Sequence, residues 1–501
     1  MADLFHNLLI GFGVAVSPMN LMLCLIGALV GTLVGVLPGI GTIATVAMLL
    51  PITFGLPPVG ALIMLAGIYY GAQYGGSTTS ILINIPGESS SVVTTLDGHQ
   101  MARQGRAGPA LSIAAIGSFF AGCVSTVLVA ALGAPLTSIA LLFGPAEYFS
   151  LMVLGLCFAV VLARGSILKA LAMVMMGLLM SMVGSDIETG QSRMAFDIPE
   201  LSDGIGFVVV AMGVFGFAEI MRNLEQTESR DVIKAKLTGL MPTWPDLKAA
   251  AGAIGRGTVL GAILGILPGG GAVIAAFAAY TFEKKMARDP SRFGRGAIEG
   301  VAAPESANNA AAQTSFIPLL TLGIPPNAVM ALMVGAMTIH GIVPGPQVMT
   351  KQPDLFWGMI TSMWLGNLML VVINLPLVGV WVKLLQVPYR LLFPAILIFC
   401  SIGVYSINNA PFDCVLTAVF GLVGYWLVKH DFEPAPMLLG FVLGPLMEEN
   451  LRRAMLIARG DPSTFITRPI SGSLIGIAVL LLIVAVLPMI RAKRDEVFIE
   501  E

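Results

Sequence analysis

The stretch GALVGTLVGVLPGIG, residues 27–41, decides how this chain reads, because it occurs twice. A shift of 230 positions lands it on GTVLGAILGILPGGG, residues 257–271. Gly27, Gly31, Gly35, Leu37, Pro38, Gly39 and Gly41 then meet Gly257, Gly261, Gly265, Leu267, Pro268, Gly269 and Gly271. Glycine at every fourth position lines one helix face and lets a second helix approach closely in lipid. The Leu-Pro-Gly that follows ends the helix, since proline lacks an N–H and clashes with the preceding turn. A close-packing apolar helix that breaks inside a membrane, present in both halves, points to a transporter built from repeats.

Composition agrees. Of 501 residues, 56% are hydrophobic and only 11% charged, against roughly 25% charged in soluble domains. Many segments of ~20 residues carry no charge, the length a bilayer core requires. The fold class is therefore an all-α polytopic integral membrane protein. We expect about a dozen membrane segments (10–13), in two sequence-related halves that are inverted relative to one another, with broken or re-entrant helices. A net charge of −2 and the lack of a polybasic tract give no reason to expect nucleic acid. The five cysteines stand singly without CxxC spacing, which argues for buried thiols and no zinc site. HExxH, GxSxG and a P-loop lysine are absent, so an enzyme is not expected and no cofactor is implied.

Working outward, residues 1–17 form an apolar entry helix that is retained, not a cleaved signal. The first half spans 18–221. A charged stretch, 222–249, with Arg222, Arg230, Lys234, Lys236 and Lys248, reads as a cytoplasmic linker. The second half spans 250–449, and 450–501 hold a loop, a terminal membrane helix and a tail. Ile85-Pro86-Gly87 corresponds to Ile324-Pro325-Pro326 at a shift of 239. Lys248 and Lys284 bracket a stretch shorter than the ~40 residues that two full crossings need, so a re-entrant hairpin turning at 268–271 is expected. Basic residues on both sides of the last apolar run leave the side of the C-terminus open.

Non-helical backbone inside a membrane survives only where it is buried or lines a watery cavity. The breaks are therefore the candidate sites. Three kinds are expected, each in duplicate: Pro38, Gly39 and Gly41 with Pro268, Gly269 and Gly271; residues 75–80 with 304–309; and 84–91 with 323–327. Within them the candidate binding residues are Gly76, Ser77, Thr78, Thr79, Ser80, Asn84, Gly87, Glu88 and Ser89 in the first half. In the second they are Glu305, Ser306, Asn308, Asn309, Pro325 and Asn327. Carbonyl and hydroxyl oxygens suit a sodium ion; N–H groups at helix starts suit a carboxylate. Plainer roles stand beside these. Serine and threonine bond back to helix carbonyls, Glu305 could pair with an Arg or Lys, and Glu88 could cap a helix starting at Ser89. His99 and His340 read as loop or packing residues. Asn408, Asn409 and Asp413 mark a helix break or a loop.

The same strings carry a resemblance. GTLVGVLPGIG, IYYGAQYGGSTTSILINIPGESSSVVTTLDGHQMARQGRAGPAL and EGVAAPESANNAAAQTSFIPLLTLGIPP resemble the large membrane subunit of the bacterial tripartite tricarboxylate transporters, over nearly the whole chain. The resemblance implies a multi-pass protein of the bacterial inner membrane. It implies uptake of tricarboxylates or related organic anions, citrate among them, coupled to Na+ or H+. It also implies two partners, a small four-helix membrane subunit and a periplasmic solute-binding protein. The chain departs from the family pattern at Gln313-Thr314 and at Pro326, where glycines are usual, which leaves the substrate open. An anion channel, which needs no coupling ion and no binding protein, and a subunit that only anchors a receptor, which leaves the paired polar breaks unexplained, are the alternatives.

Overall fold

The computed structural model describes residues 2–37, 41–163, 166–186, 189–225, 240–267, 271–384 and 389–486. Pro38, Gly39, Pro268 and Gly269, residues 226–239 of the charged linker and the C-terminal tail lie outside the described residues. The described chain is helical almost throughout. Helices α1 (Ala2–Ala15), α2 (Pro18–Val36), α3 (Thr42–Thr53) and α4 (Pro58–Ile83) come first. After short turns follow α5 (Ala107–Ala140), α6 (Pro145–Leu162), α7 (Ile167–Ser181) and α8 (Phe207–Glu225). The second half holds α9 (Trp244–Ile266), α10 (Gly271–Met286), α11 (Glu299–Thr314), α12 (Phe316–Leu322) and α13 (Ala328–Ile339). It continues with α14 (Pro353–Asn374), α15 (Tyr389–Asn408), α16 (Pro411–Lys429), α17 (Pro434–Ile457) and α18 (Pro469–Val486).

Among the described residues, 7 helices are long and apolar enough to cross a membrane, and five shorter apolar helices accompany them. The longest, α5, has 34 residues, about 50 Å of helix against a ~30 Å hydrocarbon core. The polar loop after α7 contains a two-stranded ladder, Gly184–Ser185 with Ser192–Arg193. It is fastened to α17 by Arg193 on Glu448 at 2.7 Å and Arg452 on Asp186 at 2.6 Å.

The glycine stripe does what its spacing requires. A Cβ on Gly27, Gly31 or Gly35 would collide with the carbonyl oxygen of Met64, Ile68 or Ala72 on α4. On Gly257, Gly261 or Gly265 it would collide with that of Ala303, Ala307 or Ala311 on α11. The glycines shift by 230, whereas all three carbonyl partners shift by 239, the offset of the Ile-Pro strings. No hydrophobic drive holds two helices together inside lipid, so this backbone contact is the main cohesive term for each pair.

The helices break where proline and glycine follow the stripe. α2 ends at Val36 with Leu37 extended (φ −86°, ψ 100°), and α3 restarts at Thr42. α9 ends at Ile266 and α10 restarts at Gly271. α9 begins at Trp244 and has 23 residues, longer than the hairpin arm the sequence suggests. Further breaks follow Asn84, left-handed at φ 58°, and Gly323, at φ 74°.

Two expected breaks do not exist. Residues 75–80 lie inside α4 and residues 304–309 inside α11, both unbroken. Gly75 and Gly76 serve close approach instead. Gly75 packs on Thr32 and Val36, and a Cβ on Gly76 would stand 2.9 Å from that of Glu88. No residue from 75 to 80 lacks an N–H, so the α4 ladder continues. Pro304 sits in the second turn of α11, where its missing N–H removes only one intrahelical bond. Every residue from 60 to 83 of α4 and from 300 to 314 of α11 is buried. These two helices form the centre of the molecule.

Candidate functional site

The surviving breaks converge on a cavity of about 930 Å³. Its wall includes the first turn of α10 (residues 271–274), the turn 88–90, and residues 326–329 at the start of α13. Tyr69 and Gln73 of α4 contribute aromatic and amide surface, and the cations Lys169 and Arg222 stand among the acids Glu88, Glu219, Asp431 and Glu433. The lining thus joins segments from both halves.

Local hydrogen bonds fix this wall. Asn327 caps α13: its side-chain oxygen accepts from Met330 N at 2.9 Å, and its amide donates to Ser315 Oγ at 3.1 Å and Tyr69 OH at 3.4 Å. The Ser90 hydroxyl donates to Gln73 Oε1. Glu88 reaches back 46 residues and caps α3, accepting from Thr42 N at 3.0 Å and from the Thr42 hydroxyl. Glu88 is also the N-cap residue of the 3₁₀ turn Ser89–Ser91, the capping position that its place before Ser89 suggests. At that turn it is Ser91 Oγ that meets Glu88 N, at 3.4 Å. The carboxylate goes where four free N–H groups and the positive end of a helix dipole attract it.

Gln73 leads inward. One turn along α4, Ser77 donates to the carboxylate of Glu305 on α11. Thr94 donates to its other oxygen, and Asn308 Nδ2 donates at 3.2 Å. Asn309 bonds Ser118 Oγ at 2.8 Å and the Glu305 carbonyl at 3.1 Å, tying α5 to α11. Glu305 is fully buried, and among the described residues no Lys, Arg or His forms an ion pair with it. Burial among neutral donors leaves the charge of this carboxylate without a protein counter-ion among the described residues.

The other expected site residues divide. Thr79 donates to the Val36 carbonyl at 2.8 Å, satisfying an acceptor that the end of α2 leaves free. Ser80 donates to Ser91 Oγ at 2.8 Å. Ser306 only bonds back to Ala302 O, at 2.8 Å. Ser89 and Gly271 line the cavity, while Asn84 and Gly41 form helix boundaries. Gly87 packs against the Gly35 carbonyl. Ile324, Pro325 and Pro326 are all buried, and of the three Pro326 lines the cavity. His99 Nδ1 lies 3.2 Å from Ile81 O, a packing role. Asn409 is left-handed at φ 52° between α15 and α16, and Asn408 bonds Asp413 at 2.9 Å across that joint. Among the described residues, no group of three or more His, Cys, Asp or Glu is arranged to hold a metal.

Sequence reasoning missed Tyr69, Gln73, Thr94, Ser118, Lys169 and Arg222. Lys169 had a visible signal, a lone cation at the start of an apolar helix. Ser118 and Thr94 had none, since single hydroxyls are common in membrane helices.

Comparison with known proteins decides the family. The model of the Tripartite tricarboxylate transporter TctA family matches residues 21–439. The chain belongs to the TctA family. It is thus of the kind that forms the large membrane subunit of a tripartite transporter. Over 501 residues, the whole of both chains, it is 60% identical to an uncharacterized 52.8 kDa protein in the TAR-I ttuC' 3' region of Agrobacterium vitis. It is 64% identical over 241 residues to an uncharacterized protein in the TAR-II ttuC' 3' region of the same organism. That match covers 48% of this chain and all of the relative. No solved structure matches.

Proposed function

We propose that this TctA-family chain is the translocating subunit of a binding-protein-dependent symporter for small organic anions with two or more carboxylates, driven by Na+ or H+. It works in the bacterial inner membrane with a small four-helix membrane subunit and a periplasmic binding protein. Its two halves, 18–221 and 250–449, are inverted repeats.

One observation carries the reading of the cavity. At shifts of 230 and 239, Thr42 corresponds to Ala272 and Glu88 to Asn327. In the first half, Glu88 supplies a carboxylate to the start of α3. In the second half the matching side chain is a neutral amide, already committed to its own helix, and the first turn of α10 faces the cavity. A substrate carboxylate at the start of α10 takes the place that Glu88 holds at the start of α3, drawn by free N–H groups and the helix dipole. Lys169 and Arg222 offer charge to a second carboxylate. The binding protein delivers the anion, a cation enters first, and the loaded chain exposes both to the other side.

Uptake of a carboxylate panel into vesicles, with and without sodium and with and without the binding protein, tests this. Accumulation against a gradient is expected, and equilibration without accumulation would replace the symporter with a channel. Ligand binding with no flux would leave only an anchoring subunit.

A further inference from the structure

Behind the anion cavity lies a second, much smaller one, between α4, α5 and the end of α14. It leaves about 10 Å³ for the centre of a water-sized particle, room for a single water or small cation. Its polar lining is Tyr74, Ser77, Thr78, Ser118 and Asn374. Two of these carry orphaned oxygens. The Tyr74 hydroxyl and the Asn374 side-chain oxygen are buried without a hydrogen-bond partner. The orientation of Asn374 is set by its amide nitrogen, which donates to the Leu370 carbonyl at 2.9 Å and to Thr32 Oγ1 at 3.3 Å. Leu370 O can only accept, so the amide oxygen is the end left over.

Charge points the same way. Ser77 joins the small cavity to the Glu305 carboxylate, and Glu305 lies within electrostatic reach of Tyr74. Among the described residues, no Lys, Arg or His lines the small cavity. Hydroxyl and amide oxygens backed by one carboxylate are the donor set of a hard cation. They offer no cation to an anion and no nitrogen or sulfur to a transition metal.

We propose that this small cavity is a sodium subsite, held by Ser77, Thr78, Ser118, Tyr74 and the Asn374 oxygen, with Glu305 balancing the charge from behind Ser77. The site is separate from the anion cavity, and Ser77 and Gln73 on α4 connect the two. Its role in coupling rests on the transport reading, but its occupancy does not, because binding is measurable without flux.

The test is thermal unfolding of the full chain, purified in detergent, in NaCl, KCl or choline chloride at equal ionic strength. The midpoint should rise with NaCl and saturate, as linkage requires of a ligand that binds the folded state. KCl and choline chloride should leave it in place. Asn374→Leu should shift the half-effect concentration of NaCl at least ~10-fold, the loss of about one good ligand. Thr78→Val, a change of similar volume at a hydroxyl that lines the cavity, should shift it in the same direction. Equal midpoints in the three salts, or variants that respond to NaCl like the parent, would mean that the cavity holds water only. Sodium-dependent stabilisation without any accumulation would remove the transport reading and leave the site. Accumulation with no sodium response would remove the site alone.

Discussion

The starts of α3 and α10 follow the same Leu-Pro-Gly break, yet different groups meet them. At α3 the chain brings its own carboxylate, Glu88, against Thr42. At α10 the corresponding side chain is Asn327, whose oxygen is used by Met330, and the helix start opens on the cavity. One half shows how the scaffold treats a carboxylate; on the proposed reading the other half offers the same treatment to a carboxylate from outside. The difference teaches how two matching helix starts can differ in what they leave open: one is met by the chain's own carboxylate, the other faces the cavity.

The comparison assumes that both scaffolds are held alike, and the strongest perturbation tests that. Gly31→Leu and Gly261→Leu each force a side chain into a backbone carbonyl, of Ile68 and of Ala307. Both should remove folded protein from the membrane, since overpacking at backbone contact exceeds the ~1–3 kcal/mol typical of cores. Membrane yield and monodispersity in detergent measure this. If only one of the two is damaging, the halves are not equivalent.

Next in size is Asn327→Asp. Aspartate caps a helix as well as asparagine does, so the unfolding midpoint should barely move. A built-in carboxylate would now compete for the start of α10, and uptake should fall ~100-fold or more. Uptake near the parent's rate would break the analogy with Glu88.

Asp97→Asn probes a joint between the halves. One oxygen of Asp97 accepts from the N–H groups of Gly294, Gly296 and Ala297 at 2.9, 2.8 and 2.7 Å, and the other accepts from Tyr280 OH at 3.0 Å. The variant should lose about 1–3 kcal/mol of stability, in the range for hydrogen bonds to a charged group, read as a lower unfolding midpoint. Glu88→Gln should lose about 1 kcal/mol through the weaker helix-start interaction, read as a lower unfolding midpoint. Ser306→Ala should be nearly silent in uptake and within ~0.5 kcal/mol in stability, because its hydroxyl bonds only its own helix. Asn309→Ala, which severs the tie to Ser118, should be clearly worse than Ser306→Ala in both measurements.

The same contrasts show what the sequence made legible. The stripe, the stops after Val36 and Ile266, and the turns at Asn84 and Gly323 follow from local rules about small residues, proline and left-handed backbone. The Gly-Gly-Ser-Thr-Thr-Ser run was misread as a break because glycine and hydroxyl residues weaken helices in water. In a packed interior, those glycines admit a neighbouring backbone, and the hydroxyls find carbonyls such as Val36 O. Glu305 was visible as an isolated acid, but its partners Ser77 and Thr94 lie 228 and 211 residues away, and no local pattern encodes that meeting. Glu88 is the N-cap residue of the turn at Ser89, which local pattern shows, but its bond to Thr42, 46 residues back, is set by the fold alone.

The central claim is that an external carboxylate occupies the start of α10. A structure of the full chain with a bound di- or tricarboxylate tests it directly. A carboxylate oxygen should lie at hydrogen-bonding distance, ~3 Å, from the first-turn N–H groups of α10, with Asn327 beside it. A substrate held only by Lys169 and Arg222, or seated against Glu305, with the start of α10 left to solvent, would contradict the account.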